Sequence, residues 1–173
     1  MRTRVQTIAV AVGADVSFFL GKGPAMVQGI GEILTDRIIQ KLPLVVCRPP
    51  VQIPTSQAYG WFDEDQRLTP RSGNATTLPK VGSHVSITAR EIVENLHNDL
   101  ESVVEARHPD IQTLKKALRD RGAIGTLMSG SGSCVFGIFN SLSDAQKAHQ
   151  ELTKQFPPPD HSFFVCETLN GLQ

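Results

Sequence analysis

Two apolar runs, at residues 124–128 and 134–139, are separated only by Ser129-Gly130-Ser131-Gly132-Ser133. No other feature of the chain constrains its fold as much. Parallel strands need a crossover of about a dozen residues or more, so a link this short makes the two runs antiparallel neighbours. The rest of the chain has to be arranged around that pair. Residues 42–47 read as a buried strand. Thr88 with Glu91 forms a capping box, after which Ile92, Val93, Leu96, Leu100, Val103 and Val104 recur at helical spacing, which predicts one core-facing helix to about residue 106. Pro109 opens a second helix with Ile111, Leu114, Ala117 and Leu118 on its apolar side, and Gly122 closes it. Ser143 with Gln146 reads as a further capping box. It starts a helix that carries Ala145, Ala148, Leu152 and Phe156 and ends at Pro157, before a last strand at 163–169. From residue 42 onward the order is strand, helices, strand, strand, helix, strand, the split βαβ pattern of an α+β ferredoxin-like sandwich.

The upstream part is less regular. Val5, Ile8, Ala9 and Val12 suggest a helix ending at Gly13, and residues 18–34 read as two strands joined by a tight turn. Three prolines between Arg48 and Thr55 predict a rigid extended connection, with 53–62 as an exposed loop and 63–85 as a polar insertion rich in turn formers.

Composition excludes several classes. Of 173 residues, 17 are basic and 17 acidic. The electrostatic footprint of a nucleic-acid or anionic-membrane binder is therefore missing, and neither partner is expected. No apolar run reaches the roughly 18 residues of a membrane span, so a cytoplasmic chain is the expectation. Cys47, Cys134 and Cys166 are odd in number and far apart, which predicts three buried, reduced thiols. No histidine has ligand-like spacing with another ligand type, so no protein-built metal site is expected.

Three clusters carry candidate chemistry. Asp15, in Gly13-Ala14-Asp15-Val16, sits between a helix and an expected strand, where a carboxylate either accepts a proton from a hydroxyl or satisfies turn N–H groups. Ser129, Gly130, Ser131 and Gly132 let a ligand approach the backbone closely, or form a plain hairpin turn; they are not a P-loop, since no Gly-Lys-Ser/Thr ending follows. Ile53-Pro54-Thr55 with Tyr59, Trp61 and Phe62 offers rings for stacking on a planar ligand or for packing. Asn98-Asp99-Leu100-Glu101 reads as solvated helix surface around one apolar anchor.

Taken together, Gly13-Ala14-Asp15-Val16-Ser17-Phe18-Phe19, Gly29-Ile30-Gly31-Glu32-Ile33-Leu34, Ile53-Pro54-Thr55, Asn98-Asp99-Leu100-Glu101 and Met128-Ser129-Gly130-Ser131-Gly132-Ser133 resemble, in order and spacing, the 4-diphosphocytidyl-2-C-methyl-D-erythritol kinases of the GHMP kinase superfamily. The resemblance runs from about residue 7 to the end. It implies ATP-dependent phosphorylation of the 2-hydroxyl of a diphosphocytidyl-methylerythritol substrate, with Mg2+. It also implies Asp15 as the catalytic carboxylate, Thr55 and Tyr59 as substrate contacts with the Tyr59 ring on cytosine, and Ser129 to Gly132 as the third, shape-giving motif of the superfamily. Mevalonate, homoserine and galactose kinases fit less well. Two departures matter. Ser17 stands where the family has proline, and neither the early lysine nor a Pro-x-Gly-Gly-Gly phosphate loop occurs in the 173 residues. The expectation is therefore a C-terminal part, with residues 1–40 as the remnant of an N-terminal domain and 41–173 as the GHMP kinase C-terminal domain, inactive alone and lacking an N-terminal half. The alternative is a noncatalytic ferredoxin-like module that binds a small ligand or a partner chain.

Overall fold

Pro43–Arg48 alternates fully buried Val45 and Cys47 with half-buried Leu44 and Val46, the pattern of a central strand with one face in the core. The computed structural model describes residues 2–21, 23–29, 31, 33–68 and 86–169. Its elements are α1 (Arg2–Val12), a 3-10 helix (Ala14–Leu20), β1 (Ala25–Gln28), β2 (Ile33–Asp36), β3 (Ile38–Ile39), β4 (Pro43–Arg48), α2 (Thr55–Leu68), β5 (Ser86–Ile87), α3 (Ala89–Glu94), α4 (Glu101–Glu105), α5 (Pro109–Arg119), β6 (Gly125–Met128), β7 (Val135–Ile138), α6 (Leu142–Gln155) and β8 (Ser162–Glu167). They fall into two compact units: Met1–Lys41 with Val81–Ile92 and Leu169–Gln173, and Leu42–Lys80 with Val93–Thr168.

The second unit is built on a four-stranded sheet in the order β6-β7-β4-β8. Every neighbouring pair is antiparallel; Leu44 faces Ile138 on one side and Cys166 on the other, and Leu127 faces Phe136. This is the strand order that the ferredoxin-like reading requires. Val45, Cys47 and Val135 meet Val103, Val104, Ile111, Leu114, Leu118, Ala145 and Leu152 from the helices in one core. Gly137 shows how tight that contact is, since a methyl there would lie 3.0 Å from a Leu118 methyl.

Several local expectations change. The stretch after Thr88 is not one helix. Its capping box is present, with the Thr88 N–H and hydroxyl donating to Glu91 at 2.9 and 2.7 Å, but α3 stops at Glu94 and α4 starts only at Glu101. The Asn98 side chain supplies the reason. Its Oδ1 accepts the Leu100 N–H at 3.0 Å, replacing a helical partner with a local turn. Similarly, α6 is capped two residues earlier than expected: Ser141 Oγ accepts the Asp144 N–H at 3.1 Å and donates to its carboxylate at 2.7 Å. Residues 53–62 are not a loop, because α2 begins at Thr55 and reaches into the expected insertion; residues 69–85 of that insertion lie outside the described residues. Finally, Cys47 alone of the three free thiols is buried, while Cys134 is half-buried and Cys166 is exposed on the edge strand β8.

In the first unit, β1 and β2 form an antiparallel hairpin with Ala25 opposite Asp36. Gly29 and Gly31 take φ of 70° and 116° at its turn, conformations that favour glycine. β3 pairs in parallel with β5, so residues 86–87 join this unit from later in the chain. The expected strand after Asp15 is instead the 3-10 helix, closed by i to i+3 bonds such as Val16 N–H to Gly13 O at 3.1 Å. No helix among the described residues is long and apolar enough to cross a membrane.

Candidate functional site

The glycine-serine segment between β6 and β7 closes on itself. Ser129 N–H donates to Cys134 O at 2.8 Å, and Gly132 N–H donates to Ser129 O at 3.0 Å. Gly130 and Gly132 have φ of 57° and 89°. At Gly132 a side chain is doubly excluded, since a methyl would lie 2.8 Å from Met128 Sδ and 3.3 Å from Ile53 Cδ1.

Neighbouring elements then hold the segment from outside. Asn98 Nδ2 donates to Met128 O at 2.9 Å and to Gly130 O at 2.8 Å. Thr55 Oγ1 and Ser131 Oγ share a hydrogen bond of 3.1 Å, and Ser133 Oγ donates to Val51 O. Residues 98–101 are therefore not plain solvated surface. Asn98 sits in the turn between two helices because its amide is occupied by the loop.

The prolines that suggested an extended connection in fact lead into α2. Pro54 O accepts the N–H groups of Gln57 and Ala58 at 2.9 and 3.2 Å and starts the helix. Ala58 is fully buried, and Trp61 and Phe62 pack on the core. Tyr59, one position on, is turned outward and 55% exposed. Trp61 is spent structurally, with the Arg107 guanidinium 5.1 Å above its ring. The Ala58, Trp61, Phe62 spacing was the legible sign of a helix.

Thr55, Tyr59, Phe62, Asn98, Gly130 and Ser131 thus wall one cleft of about 530 Å³. Three of the sequence-selected groups meet there: Thr55, Tyr59 and the glycine-serine motif. The charged lining residues are Asp63 and Asp99, with no Lys or Arg among them; Asp99 also pairs with His97 at 2.9 Å. An aromatic face, hydroxyls and main-chain carbonyls beside two carboxylates suit an uncharged planar ring with donor groups better than a phosphate. Asp15 belongs to the other unit, on the 3-10 helix, and its side chain lies outside the described residues.

One side chain escaped the sequence reading. Lys115 is only 11% exposed in its side chain and pairs with Glu101 and, at 2.8 Å, with Glu105. Glu101 Oε1 also accepts the Met128 N–H at 2.9 Å. The signal was a lysine four residues after Ile111, on the apolar side of α5. Cys47 has no reactive character, because burial, with a smaller contribution from Cys134, pushes its thiol up to about 12. Among the described residues no three His, Cys, Asp or Glu side chains converge as a metal site.

Comparison with known proteins places these features. The family model for the GHMP kinases C terminal matches residues 84–158. A 4-diphosphocytidyl-2-C-methyl-D-erythritol kinase of Thermoanaerobacter pseudethanolicus is 38% identical over 149 residues, covering 86% of this chain and 50% of the relative. That of Citrifermentans bemidjiense is 41% identical over 152 residues, covering 87% and 51%. The chain spans about half the length of the curated relatives it matches. Among solved structures, a 4-(cytidine 5'-diphospho)-2C-methyl-D-erythritol kinase superposes with a TM-score of 0.70 at 26% identity, over 94% of this chain and 56% of the other. A homoserine kinase of Cytophaga hutchinsonii, at 20% identity and a TM-score of 0.62 over 91% and 51%, shares the fold.

Proposed function

We propose that this chain, which belongs to the GHMP kinase superfamily and carries its C-terminal domain, supplies the nucleotide-binding wall of a kinase that phosphorylates the 2-hydroxyl of 4-diphosphocytidyl-2-C-methyl-D-erythritol. The observation that carries this reading is the cleft between α2, the Asn98 turn and the glycine-serine loop. Tyr59 stacks on the cytosine, and Thr55, held by Ser131, lines the same wall. With two carboxylates and no basic group in the lining, this wall takes the base end of the substrate and leaves the diphosphate to other parts of the site.

Asp15 is the acceptor-side carboxylate by resemblance. A carboxylate of ordinary pKa cannot hold an alkoxide at neutral pH, so its part is to orient the hydroxyl and to take the proton late in transfer. GHMP kinases use ATP, and Mg2+ would accompany it, but the glycine-serine loop does not fit its phosphates. The N–H groups of Ser129 and Gly132 are spent within the loop, the loop leads into a strand and not a helix N-terminus, and no Pro-x-Gly-Gly-Gly stretch occurs in the sequence. On this reading the chain by itself binds substrate without transferring phosphate.

The test is ADP release by the purified chain with MgATP and the diphosphocytidyl substrate, beside Asp15→Asn, with substrate binding measured on the same samples. Saturable binding with equal background turnover is expected. Turnover above Asp15→Asn overturns the inactivity, and no binding at all favours a partner-binding module.

A further inference from the structure

We infer that Glu101 and Lys115 are positioning residues that set the glycine-serine loop, and through it the cleft wall, by a chain of charge and hydrogen bonds running from α5 to Met128. Its link to substrate binding rests on the cleft being the nucleotide site; its link to the loop does not.

Met128 is the last residue of β6, immediately before Ser129. Both polar groups of its main chain are taken from the same direction. Its carbonyl accepts Asn98 Nδ2 at 2.9 Å, and its N–H donates to Glu101 Oε1 at 2.9 Å. The 98–101 turn therefore grips the loop at the one residue where β6 ends, and Asn98 adds a second hold at Gly130 O. An edge strand of four residues, paired on one side only with β7, provides little rigidity of its own.

The grip is only as fixed as Glu101. A carboxylate 84% enclosed needs a counter-charge to stay ionised and aligned, and Lys115 supplies it, itself 89% enclosed and held a second time by Glu105 at 2.8 Å; these figures are the complements of side-chain exposures of 16% and 11%. Because α5 lies in the main core through Ile111, Leu114 and Leu118, the ammonium is anchored to a helix fixed by core packing. The ion pairs of Lys115 go to Glu101 and Glu105, and neither these nor Lys115 line the cleft. It acts only through Glu101.

The experiment is hydrogen exchange by mass spectrometry on the full chain, following peptides that cover 125–133 and, as the global control, 162–167. Cytidine diphosphate affinity is measured in parallel. Lys115→Met removes the charge at similar length, and Lys115→Arg restores it. Exchange at 125–133 is expected to quicken in Lys115→Met about tenfold more than at 162–167, to return toward wild type in Lys115→Arg, and cytidine diphosphate is expected to bind about tenfold more weakly in the Met variant alone. Should Lys115→Met not fold, Glu101→Gln keeps the oxygen facing Met128 and loses the charge, and a few-fold quickening confined to 125–133 is expected. Unchanged exchange at 125–133, or equal quickening at 162–167, overturns the inference. If wild type binds no cytidine diphosphate while the exchange pattern appears as stated, the nucleotide reading fails and the positioning role stands.

Discussion

At the residue scale the site depends on a few side chains whose chemistry was only partly legible in sequence. Asn98 satisfies three main-chain groups at once. Asn98→Ala is expected to lower stability by about 1–3 kcal/mol, since two carbonyls lose their donor, as read from urea unfolding. Ser17 presents the opposite case. It is fully buried, and its hydroxyl has no hydrogen-bond partner among the described residues. Ser17→Ala is therefore expected to be neutral or to stabilise by about 1 kcal/mol, and a clear loss of stability in a thermal melt contradicts that. Cys47 gives a pH dependence. In the folded chain its thiol is pushed from 9.0 to about 12, so above pH 9.0 the unfolded chain loses this proton while the folded chain keeps it. The contribution is undiminished below pH 9.0 and declines as pH rises toward 12. Denaturant midpoints at pH 8 and 10 should separate less in Cys47→Ala than in wild type.

The elements show why some of the structure could be read in sequence and some could not. The β6 and β7 pair and the sandwich order were legible because a short Gly-Ser link and apolar runs are local signals. The break between α3 and α4 was not, because Ile92 to Val104 keep a helical period through it, and what interrupts the helix is the Asn98 side chain, which takes the Leu100 N–H and is itself held by Met128 and Gly130 across the chain. Likewise α2 was hidden by prolines that read as an extended connection, although Pro54 starts the helix. Thr55, Tyr59, Gly130 and Ser131 line one cleft, yet Tyr59 presents its ring from a helix and not from a loop. The Glu101 and Lys115 pair belongs to this scale as well. Removing one partner of a buried pair leaves the other uncompensated, so Lys115→Met is expected to cost about 3–5 kcal/mol of stability, whereas a joint Glu101→Leu, Glu105→Leu, Lys115→Met replacement costs far less; calorimetric unfolding of the single and the triple variant decides it.

For the whole molecule, the four-stranded sheet order of the second unit, the match of residues 84–158 to the GHMP kinases C terminal and the superposition on a solved 4-(cytidine 5'-diphospho)-2C-methyl-D-erythritol kinase agree on the fold. What that domain does on its own turns on the cleft. Phosphoryl transfer is mostly positioning and charge stabilisation, and the lining contains a ring, hydroxyls and carboxylates but no cation. On the reading proposed above, such a surface serves recognition of the base. The most direct test is calorimetric titration of cytidine diphosphate into the wild-type chain and into Tyr59→Ala. Base stacking on an aromatic side chain is worth about 1–3 kcal/mol, so saturable binding is expected in wild type, weakened roughly tenfold in the variant. Absence of binding in wild type, or equal affinity in both, contradicts the cleft as a nucleotide site.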